Sequence, residues 1–183
     1  MCGGEGSRLD AAVEKPLLPV AGRPMVDRVL AALGASRVDT VHAVVSPRAP
    51  ETRAHLDGGS RSLIEAPGEG YVADLEYALD RVERPVITAV ADLPLLPGGA
   101  VDRTLDAHDG GSLSVCVPAA LKRLLGVSLD TTVERDGRDL APTGLNVVGE
   151  ADGESTRRTY DARLAVNVNR RKDAEVAEEL CGS

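Results

Sequence analysis

Apolar residues recur with a helical period over 25–33, where Met25, Val26, Val29, Leu30 and Leu33 share one face behind a Gly-Arg-Pro start. The same period returns over 71–82, at positions 71, 72, 75, 78, 79 and 82, and Pro85 ends it. Further helices are expected over about 99–108, after Pro97, and over about 171–181, where Val176, Ala177, Leu180 and Cys181 share a face. Between these lie short apolar or β-branched runs at 40–46, 62–65, 113–117, 144–148 and 164–168, which read as strands. Residues 86–91 (Val-Ile-Thr-Ala-Val-Ala) are apolar almost without interruption, the pattern of a strand buried on both faces of a parallel sheet. Asp136-Gly137, set between polar strand-like stretches, predicts a hairpin. The alternation gives a single α/β domain over 1–183, with a mainly parallel central sheet and a hairpin insertion in its second half.

Composition narrows the class. With 43% hydrophobic and 27% charged residues, the 183-residue chain has a globular balance. No apolar run approaches the ~18–20 residues of a membrane span, and the N-terminal Met-Cys-Gly-Gly-Glu-Gly-Ser lacks the apolar centre of a signal peptide. Cys2, Cys116 and Cys181 are far apart and form no CxxC pair, which argues against a disulfide framework or a zinc ribbon and for a reducing cytoplasm. The net charge is −8, and Lys15, Lys122 and Lys172 are the only lysines. An acidic, lysine-poor surface is expected of a halophilic, archaeal cytoplasm, where hydrated carboxylates keep proteins apart after salt has screened long-range repulsion. The absence of a basic stripe and of Trp and Phe argues against nucleic acid as a partner.

The chemistry concentrates near the N-terminus. Gly3, Gly4 and Gly6, with Ser7, make a loop whose backbone N–H groups can approach an anion closely. Arg8 and Lys15 would add charge-assisted contacts to phosphate oxygens. The loop is not a Walker A motif, because GxxxxGK[ST] is absent, and it does not fit the dinucleotide GxGxxG fingerprint.

Gly3-Gly-Glu-Gly-Ser-Arg-Leu followed by Glu14-Lys-Pro-Leu-Leu-Pro-Val-Ala-Gly-Arg-Pro resembles the signature of nucleotidyltransferases that join a nucleoside monophosphate to a phosphorylated acceptor. Sugar-1-phosphate nucleotidyltransferases and molybdenum-cofactor guanylyltransferases share it. Ala91-Asp-Leu-Pro-Leu-Leu, Ala141-Pro-Thr-Gly-Leu-Asn-Val-Val and Ala165-Val-Asn-Val-Asn extend the resemblance towards the archaeal adenosylcobinamide-phosphate guanylyltransferases. The resemblance implies a Rossmann-like, GT-A-like three-layer domain. It also implies transfer of GMP from GTP to adenosylcobinamide phosphate, with release of pyrophosphate, in cobalamin biosynthesis. Transfer to molybdopterin or to a sugar 1-phosphate is an alternative, as is a non-catalytic nucleotide-binding regulatory module; oligomeric state stays open, a homodimer included. In that superfamily a hydrophobic strand leads into the glycine loop, yet Met1 lies two residues ahead of Gly3. The resemblance therefore leads one to expect either an upstream start or a truncated chain.

Such a reaction needs two polyanions held in line and their charge neutralised, not a serine or cysteine nucleophile. Asp92 follows the apolar run 86–91, at the strand end where open α/β sheets bind ligands, and is the expected Mg²⁺ ligand. Its alternative role is a turn aspartate before Pro94. Asn167 and Asn169 close the run 164–168 ahead of the last helix, either as contacts to nucleotide or acceptor or as caps. Gly144 with Asn146 is expected to approach the acceptor, or else Gly144 relieves a crowded strand. Gly70 and Asp74 are nucleotide candidates by resemblance, although Asp74 also reads as a solvated first-turn carboxylate. The catalytic set is thus Arg8, Lys15 and Asp92.

Overall fold

The structure is a computed structural model and describes residue 1 and residues 13–57 and 62–182. A tight hairpin of β1 (Pro19–Val20) and β2 (Arg23–Pro24) turns at Ala21 and Gly22, both at positive φ (47° and 73°). It leads into α1 (Met25–Gly34), which buries Met25, Val26, Val29 and Leu30, the face expected from its period. Then come β3 (His42–Val45), α2 (Pro50–Leu56), β4 (Ser62–Glu65) and α3 (Tyr71–Leu79). The second half comprises β5 (Val86–Ala89), α4 (Gly98–Asp106), β6 (Ser112–Pro118), α5 (Ala119–Leu124), β7 (Val133–Arg135), β8 (Arg138–Val148), β9 (Glu154–Arg158) and α6 (Arg171–Cys181).

The α/β, Rossmann-like reading stands, but the sheet expected to be mainly parallel is mixed. β3 pairs parallel with β4 and β6 with β9, whereas β8 runs antiparallel to β5, β6 and β7. The insertion produces this: β7 and β8 form a hairpin at Asp136 and Gly137 (φ 51° and 69°), and β8 continues for 11 residues between β5 and β6. Residues 164–168 are not a strand. Ala162–Ala165 form a 3₁₀ turn and the next residues run extended, because Val168 N–H donates to Asp92 O (2.9 Å) and not into a ladder.

Leu93, Val101, Val115, Val117 and Leu145 form the centre of the largest core cluster, under α1 and α4. A second feature matters for the site. An apolar channel, lined by Ala43 and Val44 of β3, Ile87 and Ala89 of β5, and by α1 and α3, lies between the β3–β4 sheet and the five-stranded sheet. Met1 stands at it: its ammonium donates to Ala89 O (3.0 Å) and its carbonyl accepts from Ala91 N–H (3.1 Å). That is the bonding pattern of one rung of a parallel ladder. Every residue of β5 is half-buried, where burial on both faces was expected.

Candidate active site

Lys15 opens a 3₁₀ turn (Lys15–Leu17) with Pro16 inside it. The turn is tied down by the preceding residue. Glu14 accepts from Glu51 N–H (2.9 Å) and Thr52 N–H (2.7 Å), supplying from outside the cap that α2 lacks in its own sequence. Burial works against the Glu14 charge, but the Thr52 and Glu51 hydrogen bonds outweigh it and hold the carboxyl below its usual range. Asp92 comes from the other side, just beyond β5. Asn167 and Asn169 come from the extended segment after the 3₁₀ turn, which the Val168–Asp92 backbone bond holds alongside Asp92.

These four side chains meet. Lys15 Nζ donates to Asp92 Oδ2 (2.5 Å) and to Asn169 Oδ1 (2.6 Å). Asn167 Nδ2 donates to Asp92 Oδ1 (3.1 Å) and to Thr143 O (2.9 Å). Each oxygen of Asp92 therefore holds a donor. Lys122 Nζ donates to Asn167 Oδ1 (2.9 Å) from a site where the residue is only 4% exposed. Burial pushes the Lys122 ammonium below its ordinary pKa, while the charges of Asp92, Asp173 and Asp130 support it. On the opposite flank, Asn169 Nδ2 donates to Asp130 Oδ2 (3.1 Å), and Arg170 donates to Asp130 Oδ1 (2.8 Å). Buried Asp173 accepts from Ser128 and from the backbone of Asn169 and Arg170, fixing the start of α6 behind the site.

Lys15 and Asp92 line an open cleft of about 170 Å³, with Ser46, Arg48, Gly70 and Tyr71 on its walls. Gly70 precedes α3 at φ 118°, a backbone that only glycine adopts easily. The cleft thus has cationic groups, a carboxylate and an aromatic ring facing one space. Burial of part of the Tyr71 ring, and then the Asp92 charge, raise its hydroxyl pKa. Among the described residues no group of three or more His, Cys, Asp or Glu could hold a metal by itself. Mg²⁺, however, is commonly held by one or two carboxylates plus substrate phosphates, and Asp92 at the cleft fits that donor set.

Gly3, Gly4, Gly6, Ser7 and Arg8 lie outside the described residues. Asp74 lines the cleft but is not the solvated carboxylate its position allowed. It is 5% exposed, and its Oδ1 accepts from Gly68 N–H (2.8 Å) and Glu69 N–H (3.2 Å), bracing the turn before α3. Gly144 sits at φ 82°, and a Cβ there would collide with Val90, so packing accounts for its glycine. Asn146 lies between Thr88 and Ser114 in the sheet and takes no part in the network described around Asp92. Lys122 and Tyr71 escaped the sequence reading. Scarcity of lysine was the one signal available for the first, and scarcity of aromatics for the second.

The geometry has counterparts elsewhere. A nucleotidyl transferase from Methanothermobacter thermautotroptrophicus superposes with a TM-score of 0.69 at 18% identity, over 98% of this chain and 95% of that one, and so shares the fold. An adenosylcobinamide-phosphate guanylyltransferase from Methanocaldococcus jannaschii is 26% identical over 98% of this chain and 94% of its own length. A bifunctional protein GlmU from Maricaulis maris is 29% identical over 97% of this chain, which spans only 46% of that relative. Residues 1–169 match the MobA-like NTP transferase domain, a span that takes in Lys15, Asp92, Asn167 and Asn169 together. The chain therefore belongs to the MobA-like NTP transferase domain family and is a nucleotidyltransferase.

Proposed function

We propose that the protein transfers GMP from GTP to adenosylcobinamide phosphate, releasing pyrophosphate. The observation that carries the reading is the Lys15–Asp92 pair, an ammonium and a carboxylate side by side at the mouth of one cleft. The choice of guanine and of acceptor rests on likeness along nearly the full length to the Methanocaldococcus jannaschii guanylyltransferase.

An oxygen of the acceptor phosphate attacks the α-phosphorus of the nucleotide, the bond from that phosphorus to the bridging oxygen breaks, and pyrophosphate leaves. The acceptor phosphate is already ionised, so no general base is required. Lys15 exchanges Asp92 for the phosphate oxygens, and its charge offsets the negative charge building in the transition state. Arg8 and the amides of Gly3, Gly4 and Gly6, with Ser7, serve the same triphosphate. Asp92 is the residue that would hold Mg²⁺, whose chemistry there is neutralisation of charge on the reacting phosphates. Asn169 is the second acceptor for Lys15 and helps to hold the ammonium at the cleft. Gly70 and Tyr71 line the same cleft and are assigned to the nucleotide.

The test is a panel of GTP, ATP, CTP and UTP, each with adenosylcobinamide phosphate, molybdopterin or a sugar 1-phosphate, read by pyrophosphate release. Release with GTP and the cobinamide acceptor alone is the expected result. Preference for CTP or UTP, or for another acceptor, overturns the specific reaction, and nucleotide binding without release for any acceptor favours a binding module.

A further inference from the structure

Lys122 is one of three lysines in the chain and is buried within the site network. A solvated lysine on a short helix would cost nothing; this one is 4% exposed, and burial disfavours its charge. Its one described hydrogen bond is to Asn167 Oδ1. The consequence lies in the carboxamide. An amide offers an acceptor at one end and donors at the other. With Oδ1 committed to the ammonium, Nδ2 must face Asp92 Oδ1 and Thr143 O, at 3.1 and 2.9 Å. A flipped amide would put Nδ2 against an ammonium and Oδ1 against a carboxylate and a carbonyl, donor to donor and acceptor to acceptors. Thr143 is fully buried, so its carbonyl has no water to turn to.

We propose that Lys122 is a positioning residue for the nucleotidyl-transfer reaction: its ammonium fixes the Asn167 carboxamide as a donor to Asp92, and so aims the Asp92 carboxylate at the cleft. Among the described contacts Lys122 hydrogen-bonds Asn167 and is not one of the residues lining the cleft, so it acts through Asn167. The reasoning parallels the outer partners that orient the ligands of metal sites. It rests on the proposed transferase reading for its kinetic consequence, but not for its structural one.

Two variants of the full chain separate the possibilities. Lys122→Met keeps the length of the side chain and removes the donor; Lys122→Gln removes the charge and keeps an N–H donor for Asn167 Oδ1. For Lys122→Met, kcat is expected to fall ~10-fold, the size typical of lost outer-shell support. The nucleotide KM stays within ~3-fold, because an interaction of the transition state and not of ground-state binding is lost. The Asn167 side-chain NH₂ signals in a ¹H–¹⁵N spectrum, assigned by their loss in Asn167→Asp, shift and exchange faster. Lys122→Gln returns both readouts towards the wild type. A folded Lys122→Met with wild-type kcat overturns the proposal, as does a kcat loss with unmoved Asn167 signals. Should Lys122→Met not fold, Lys122→Gln carries the test, and displaced Asn167 signals in that variant contradict the proposal. If the wild type releases no pyrophosphate from any nucleotide, the transferase reading fails while the Asn167 signals still decide the positioning.

Discussion

Gly144 gives the sharpest quantitative test of the packing beside the site. Its φ of 82° lies in the left-handed region, and a Cβ at this position would overlap one methyl carbon of Val90 and press against the other. Gly144 O also accepts from Val90 N–H (3.1 Å), so the strand cannot move away without breaking that bond. Gly144→Ala therefore meets two costs. The left-handed backbone costs an alanine ~1–2 kcal/mol, and forcing a methyl into a filled space costs a further ~1–3 kcal/mol. The sum, ~2–5 kcal/mol, is a large share of the ~5–15 kcal/mol that stabilises a typical domain. Urea denaturation followed by circular dichroism measures it. The double variant Gly144→Ala/Val90→Ala removes the overlap and leaves the backbone cost, so it should recover the overlap term less the price of the cavity left by the valine. If Gly144→Ala unfolds at the wild-type midpoint, the packing argument is wrong and Gly144 must be explained by contact with a substrate.

Other outcomes follow from the same structure. Lys15→Met removes the ammonium from Asp92 and Asn169, and turnover should fall by ~10²–10³, as for other lost transition-state contacts, with little change in the circular dichroism spectrum. Side-chain hydrogen bonds from Arg163 hold the Asp161 carboxyl below its ordinary 3.8, so its contribution to stability is present above that pH and disappears as pH falls through the folded-state value. Thermal melts should accordingly show Asp161→Asn below the wild type at pH 7, with the gap closing in acid.

Much of this was legible in the sequence because period and punctuation decide local structure. The apolar face of 25–33, the Asp136-Gly137 turn and the last helix appear where the pattern places them. Asn167 and Asn169 are brought beside Asp92 by one backbone bond, Val168 to Asp92, and Lys15 reaches them from a separate turn anchored on α2; no periodicity encodes either contact. Residues 164–168 form a short apolar, β-branched run like a strand, yet their hydrogen bonds go to a turn and to Asp92. The direction of β8 was hidden for a different reason: alternation marks a strand but says nothing of which neighbours it meets. β9, Glu-Ser-Thr-Arg-Arg, has no apolar face to announce it, because one strand edge supplies its pairing. Asp74 and Lys122 look solvated in a one-dimensional reading. Their burial depends on a glycine turn folding back over one and on α5 packing across β8 over the other.

The central claim is that the Lys15–Asp92 cleft moves a nucleotidyl group. The direct measurement is a single-turnover reaction with GTP labelled at the α-phosphorus, adenosylcobinamide phosphate and Mg²⁺, run in parallel with wild type and Lys15→Met. The account predicts that the label becomes covalently attached to the acceptor in the wild type and at a rate lower by ~10²–10³ in the variant. Label that stays in nucleotide with the wild type, or that moves equally fast without Lys15, contradicts it.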